Sequence, residues 1–534
     1  MENPVIQTSS GRVRGKLATN AYGYSFYYFD GIPYAQPPLG EKRFRAPVPA
    51  AKWTLIRDCT KSPNKCLQWN RRVCEIQGSE DCLYLNVNVR QLNARPAVPV
   101  MVYIHGGGFN TGDATRRAWA PDYFMMKDVV FITIGYRLGM FGFASFSDKS
   151  LNTADNCGVL DVILALKWIR ANCMYFNGDP ENITLFGHSS GSCVTHMLMQ
   201  TPSAKGLFHK AILLAGFNMN EPSFTRLEFR LAQHLGFEGS EQDQKALCEF
   251  LTNVDANKLV NFDVFTEEEK MLYPDAVIFP IWPIADGTLI SKDIVAAQRK
   301  AWSNSIPLMM GSNSTEALML LKKLKSDAKV YEMWKSRPQL MLHSNLKTLD
   351  DAVMLGEIAK RVKDIHFGDK EMTIENYECA LEIESYNFLY HDQHRLMQSR
   401  LQNATAPTYV YRFDFDSPTF NFYRIRGFGV GSKGVGHCDE LGYLFVLPDT
   451  FKLDANTPEY RCIELMIETF YTFSKTSDPN NPILQPNHWE PIQRGMVPHC
   501  LNINYEWTRR IPQPEYEKCC AIDEAYKLLN KDLY

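Results

Sequence analysis

Apolar positions along this chain fall into short runs broken by polar or glycine-rich turns, and between those runs the apolar residues recur every three or four positions. Val98–His105 (VPVMVYIH) and Val129–Phe143 (VVFITIGYRLGMFGF) are nearly continuous apolar stretches, the pattern of strands buried on both faces and their exits. Ile183–Phe186, Lys210–Gly216 and the start of Ile306–Leu320 read the same way, while Ser79–Val89 and Thr408–Phe415 alternate as strands do. Leu160–Ile169 carries Val162, Leu166 and Ile169 at helical spacing, and Ile463–Phe473 and Ala521–Leu529 are further amphipathic helices. Strands alternating with helices predict βαβ units and a mostly parallel central sheet flanked by helices, an α/β fold. Glu221–Pro280 reads as helical and polar, Lys322–Asn403 as charged surface helices, and Phe29–Trp53, rich in proline and aromatic residues, as an extended, irregular wrapping segment. With no internal repeat, low-complexity segment or clear linker, residues 1–534 are expected to form one large domain.

In such a sheet, ligands gather at the carboxyl ends of the strands. Asn182–Gln200 (NITLFGHSSGSCVTHMLMQ) reads as strand, sharp turn and helix with Ser189 at the apex between Gly187 and Gly191. A turn that tight suits glycine on both sides, and it holds the hydroxyl at a helix start whose free N–H groups favour a developing oxyanion. Gly106, Gly107 and Gly108 follow the Val98–His105 strand and leave backbone N–H groups open to a ligand, unless the run is a plain flexible loop. Glu316 follows the strand that opens Ile306–Leu320 and, from local sequence alone, reads better as an ordinary first-turn carboxylate than as a site residue. His437 sits on the glycine-rich GVGHCDELGYLF, where a histidine can be structural or can reach a neighbouring site. The order Ser189, Glu316, His437 is that of nucleophile, acid and base in α/β-hydrolases.

Composition narrows the reading. Hydrophobic content of 45% and charge of 22% suit a folded chain with a sizeable core. A net charge of −3, without a basic block, argues against nucleic acid as a partner. No apolar run approaches the roughly 18 residues of a transmembrane helix, and the first residues have no signal-peptide core, so a cytoplasmic location is expected. The 14 cysteines include no C-x-x-C pair and no Cys/His cluster at zinc spacing, and without a secretory signal most thiols read as reduced. Sequons occur at Asn182, Asn313 and Asn403.

Taken with GIPYAQPPLGEKRF, SEDCLYLNV, HGGGF, GYRLG, FNGDPENITLFGHSSG, LFHKAI and NSTEA, these blocks make the chain resemble, over nearly its whole length, the carboxylesterase/cholinesterase family of α/β-hydrolases, more narrowly the intracellular α-esterases of insects. The resemblance implies an α/β-hydrolase fold with large helical insertions. It makes Ser189 the nucleophile, His437 the general base and Glu316 the acid that orients it, with the N–H groups of Gly107, Gly108 and Ser190 as oxyanion hole. It implies no cofactor, a small-molecule ester as substrate and sensitivity to organophosphate-type inhibitors.

Four positions depart from the family pattern: His188 where glutamate is usual, Ser190 for alanine, Ala215 where a serine is frequent, and Cys438 for glycine. An unperturbed imidazole at His188 would titrate near ~6.5 and add a second acidic limb to activity, which His188→Gln would remove. Cys66 and Cys82 match a disulfide of secreted relatives, expected to be reduced here, and Cys248 has no partner for a second such loop. Where cholinesterases hold choline on a tryptophan, this chain has Arg72, with Trp69 nearby, which favours uncharged esters over acetylcholine. Two other readings stay open: a non-catalytic binding protein of the neuroligin type, and a narrow hormone or lipid esterase of the juvenile-hormone type.

Overall fold

A computed structural model describes residues 3–71, 73–93, 95–219, 227–272, 281–343, 346, 351–448, 450 and 452–534. Arg72, parts of the Glu221–Pro280 stretch and a few of the residues between Lys322 and Asn403 lie outside them.

The central sheet contains, in chain order, β1 (Lys16–Thr19), β2 (Ser25–Pro33), β3 (Tyr84–Val89), β4 (Val98–Ile104), β5 (Val130–Ile134), β6 (Gly178–His188), β7 (Lys210–Leu214), β8 (Leu308–Asn313), β9 (Thr408–Asp414), β10 (His499–Asn504) and β11 (Thr508–Pro512). Its spatial order is β1-β2-β3-β5-β4-β6-β7-β8-β9-β10-β11. From β5 to β10 every neighbouring pair is parallel, and the pairings at the two edges are antiparallel. This is the expected mostly parallel α/β-hydrolase sheet.

The central strands β4, β6 and β7 are apolar on both faces because each face meets its own core. Val100, Val102, Ile104, Leu185, Ala211 and Leu213 join one cluster; Met101, Tyr103, Phe186, Ile212 and Leu214 join the other. This partition is the two-residue period of a strand. Helices α1 (Cys157–Asn172) and α2 (Ser190–Gln200) cover the first face, with Val162, Leu166, Ile169, Val194 and Leu198 in its core. After them come α3 (Ala352–Phe367), α4 (Tyr377–Ser385) and α5 (His391–Asn403). The second face packs against α6 (Pro458–Thr476) through Ile463, Ile467 and Phe470, and α7 (Tyr516–Tyr526) lies near the C-terminus.

The chain runs from β4 outward to β5, then returns to place β6 on the other side of β4. That reversal opens a crevice at the carboxyl ends of β4 and β6, where Ile104 pairs with Gly187. The turns leaving these two strands therefore start side by side.

Several expectations are corrected. Phe29–Pro33 belongs to β2 rather than to an irregular wrap. Helix α5 is not a surface helix. Its His391, Gln393, His394 and Arg400 are buried with partners inside the molecule: both histidines bond Asp523 at 2.8 and 3.0 Å, Gln393 accepts from the Ser312 hydroxyl, and Arg400 donates to Thr408 and the Ser303 carbonyl. Cys66 and Cys82 are joined as a disulfide, with Cα atoms 4.9 Å apart. The backbone pairing of Cys66 with Ser79 folds that loop back on itself and brings the two cysteines together, against the reduced state expected from the absence of a signal-peptide core. Among the described residues no helix is long and apolar enough to cross a membrane.

Just beyond β5, Arg137 lies against Asp161 of α1 with both side chains 2% exposed or less; Nη2 and Nε donate to the carboxylate at 2.7 and 2.8 Å. Arg137 also donates to the carbonyls of Arg43 and Arg45, tying the N-terminal segment to the sheet. Asp161→Ala strands this guanidinium in the interior, and urea unfolding is expected to show a loss of about 3–5 kcal/mol. A loss under 1 kcal/mol would mean the buried pair contributes little.

Candidate active site

Ser189 stands between β6 and α2 with φ 55° and ψ −125°, a conformation that side-chain-bearing residues adopt only when the surroundings enforce it. The surroundings here leave no alternative. A Cβ on Gly187 would come 2.2 Å from the Gly191 carbonyl oxygen, and one on Gly191 would come 2.2 Å from that of Ile104. The Ser189 N–H donates to the Leu214 carbonyl at 2.9 Å, which ties the apex to the end of β7. Ser189 is only partly buried, whereas Gly187, His188 and Ser190 around it are buried.

The glycine run after β4 presses against this turn: a Cβ on Gly106 would lie 2.6 Å from the His188 carbonyl and 3.0 Å from Ser189 Cβ. Gly107 and Gly108 have φ of 128° and 59°, and the Gly107 carbonyl accepts from the N–H groups of Asn110 and Thr111. Among the described residues the N–H groups of Gly107 and Gly108 donate to no acceptor. Ser190 opens α2, so its N–H is one of those that no earlier helical carbonyl takes.

At the end of β8, Glu316 is completely buried, and its Oε2 lies 2.7 Å from Nδ1 of His437, 121 residues further on. The other carboxylate oxygen accepts the Asn313 N–H at 2.6 Å. The His437 loop is docked on the same strand end: Thr315 N–H donates to the Val435 carbonyl at 2.9 Å, and the Asn313 side-chain amide donates to the Gly436 carbonyl at 2.8 Å. That amide also bonds Glu440, so Asn313 is clamped between two buried carboxylates. Its burial leaves no room for a glycan at that sequon.

These contacts set the ionisation. Burial by itself depresses the His437 imidazole, but Glu316, aided by Glu440 and Asp439, outweighs it and holds the pKa above the ordinary histidine value. Burial pushes the Glu316 carboxyl up, against the bonds from His437 and the Asn313 N–H. Burial also raises the Asp439 carboxyl to about 7, although it accepts the N–H groups of Arg424 and Gly436.

His188 behaves differently from an exposed imidazole. Its Nε2 is 3.2 Å from Glu440 Oε1, and its ring centroid is 4.8 Å from that of His437. Burial lowers its pKa, Glu440 opposes that, and the charge on His437 adds to it. The limb expected near ~6.5 from an unperturbed imidazole therefore moves down, below the range in which His437 titrates.

Glu316 and His437 are thus bonded directly, and Ser189 lies beside them through His188 and Gly106. Among the described residues Ser189 makes no side-chain hydrogen bond to His437. Three participants escaped sequence reading: Asn313, Glu440 and Phe388, whose ring meets His437 edge-on at 5.0 Å. Phe388 lies on a π-helical turn, Tyr386–Tyr390, which also supplies Tyr390, whose hydroxyl donates to the Asn313 carbonyl at 2.8 Å. A π turn leaves no mark on apolar spacing. The remaining clue is local, since Asn313 opens the NSTE block and Glu440 closes GHCDE. One ligand-capable trio occurs among the described residues: His188, His437 and Cys438.

Chemically, the assembly offers a hydroxyl at a strained turn, an imidazole backed by a carboxylate, and unoccupied amide donors. Comparison with known proteins agrees with this chemistry. The carboxylesterase family model matches residues 2–521. Esterase B1 of Culex pipiens is 31% identical, covering 100% of both chains, and the liver carboxylesterase of Sus scrofa is 29% identical over 96% of this chain and 92% of its own. The crystal structure of the Manduca sexta juvenile hormone esterase, with OTFP covalently attached, superposes with a TM-score of 0.84 at 26% identity, covering 99% of this chain and 100% of that one.

Proposed function

We propose, for a chain that belongs to the carboxylesterase family and is a serine hydrolase of carboxylic esters, that Ser189 is its nucleophile, His437 its general base and Glu316 the acid that orients the imidazole. The observation that carries the assignment is the 2.7 Å bond between Glu316 Oε2 and His437 Nδ1. With Nδ1–H held by the carboxylate, the lone pair on Nε2 is left to take a proton. Ser189 then attacks the ester carbonyl as His437 accepts its proton, and Glu316 stabilises the imidazolium. The N–H groups of Gly107, Gly108 and Ser190 meet the oxyanion, each such donor lowering the barrier by about 3 kcal/mol. The alcohol departs with the proton from His437. Water activated by the same imidazole releases the acid from acyl-Ser189. The bond from Ser189 to His437 forms as substrate fills the crevice, since catalytic hydrogen bonds are often long in the empty enzyme.

The substrates this reading favours are uncharged, lipophilic esters, xenobiotic ones included. The aromatic edge of Phe388 over His437 supports this, because it presents apolar surface to the acyl or alcohol group. A narrower hormone-type esterase is the second reading, favoured by the superposition on the Manduca sexta enzyme. Retention of a bonded acid–imidazole pair speaks against a purely adhesive role.

A fluorophosphonate probe tests the nucleophile. Mass spectrometry is expected to place one adduct on Ser189, absent after heat denaturation and in Ser189→Ala. Folded protein without an adduct, or an adduct on another serine, overturns the assignment. Naphthyl esters of graded acyl length then separate a broad esterase from a narrow one.

A further inference from the structure

We propose that His188, His437 and Cys438 form a binding site for a zinc-class divalent cation, whose occupancy shuts down ester hydrolysis. One ring nitrogen of each imidazole and the Cys438 sulfur lie within 4.8 Å of one another. Two imidazoles and a thiolate are the donor set that borderline-soft ions such as zinc select over magnesium or calcium. Zinc bonds of about 2.0–2.3 Å put ligand atoms of a tetrahedron roughly 3.3–3.8 Å apart, so the trio needs about 1 Å of contraction. The two halves of the site can supply it. His188 is fixed at the end of β6, while His437 and Cys438 ride a loop that contains Gly434 and Gly436, with Gly434 at φ 98°. Both loop residues are only partly buried, which leaves the ion a route from solvent.

Two further features point the same way. Each imidazole is backed by a buried carboxylate, Glu316 for His437 and Glu440 for His188, the arrangement that orients histidine ligands and raises their basicity. Cys438 has φ 78° and ψ −5°, a left-handed conformation that costs least with glycine. A thiol kept where glycine would relieve the backbone, next to an imidazole, fits a role for its sulfur.

Binding requires no redox partner. The Cys438 S–H proton leaves to solvent, and the cation gains bonds to the thiolate and two neutral nitrogens, with a water completing its shell. Glu316 already holds Nδ1 of His437, so the nitrogen available to the ion is Nε2. Loss of that lone pair is what stops hydrolysis, and this consequence rests on the proposed role of His437 as general base.

The test titrates chelator-treated protein with zinc chloride alone, each variant compared with its own metal-free rate. Wild-type hydrolysis is expected to fall at least tenfold at micromolar zinc and to recover with EDTA, while millimolar magnesium leaves it unchanged. Cobalt(II) is expected to give a thiolate-to-metal charge-transfer band. In Cys438→Gly, which relaxes rather than strains the loop, and in Cys438→Ser, the half-inhibiting zinc concentration is expected to rise at least about tenfold and the band to vanish. Equal zinc sensitivity in both variants, or no band on the wild-type protein, overturns the site. A band without loss of hydrolysis overturns the shutdown. Because the band reads binding without activity, a failure of the proposed catalytic roles is told apart from a failure of the metal site.

Discussion

Ser189→Ala is expected to lower kcat for a naphthyl or nitrophenyl ester by roughly 10⁶-fold, the scale on which removing a triad nucleophile disables a serine hydrolase. The change takes away one oxygen and leaves the turn as it is. Alanine carries the same Cβ at φ 55°, and the backbone bond from residue 189 to the Leu214 carbonyl persists. The folded state should therefore keep its melting temperature and near-ultraviolet circular dichroism, which separates lost chemistry from lost structure. The oxyanion donors remain, so a residual rate above that in water is also expected, on the order of 10³-fold. Hydrolysis within tenfold of wild type, after exclusion of contaminating esterase by active-site titration, would remove Ser189 from the mechanism.

Glu316→Gln is the second large effect, and it has a signature in pH. The amide fills the same volume and can still accept the Asn313 N–H, but it no longer fixes the tautomer of His437 or offsets its positive charge. The kcat is expected to fall about 10⁴-fold with KM little changed. His437 must be neutral to act as base, so activity rises with pH through its pKa. Glu316 is the main group raising that pKa against burial, so its neutralisation moves the acidic limb to lower pH. Profiles of kcat/KM from pH 4 to 9 check the sign. A limb that moves upward, or a kcat within tenfold of wild type, would show that Glu316 is not the partner that matters.

How legible each part was follows from the range of the interactions that make it. The parallel strands β4 to β8 are readable because burial on both faces leaves nearly continuous apolar runs such as VFITI and KAILL, and β9 is readable from its alternation. The outer strands β1, β2, β10 and β11 are not: the Ser25–Pro33 strand begins exposed and ends in proline, and Thr508–Pro512 is at best half-buried throughout. Helix α5 reads as a surface helix in the sequence because its histidines and arginines find partners far away along the chain, Asp523 being 129 to 132 residues distant. The shift at His188 is invisible in the sequence, because spacing says nothing of the burial that lowers its pKa.

Sequence by itself determined the succession of the parallel strands β4 to β9 with their helices, the tight turn at Ser189 and the glycine run after β4. These depend on short-range sterics and periodicity, which adjacent residues express locally. Only the tertiary structure decided that Glu316 and His437 meet at 2.7 Å, that Asn313 is gripped between two buried carboxylates, and that Cys66 joins Cys82. Those pairings are set by how the strand ends at the sheet crossover are buried against one another. That burial is a property of the packed molecule, and no stretch of chain carries it alone.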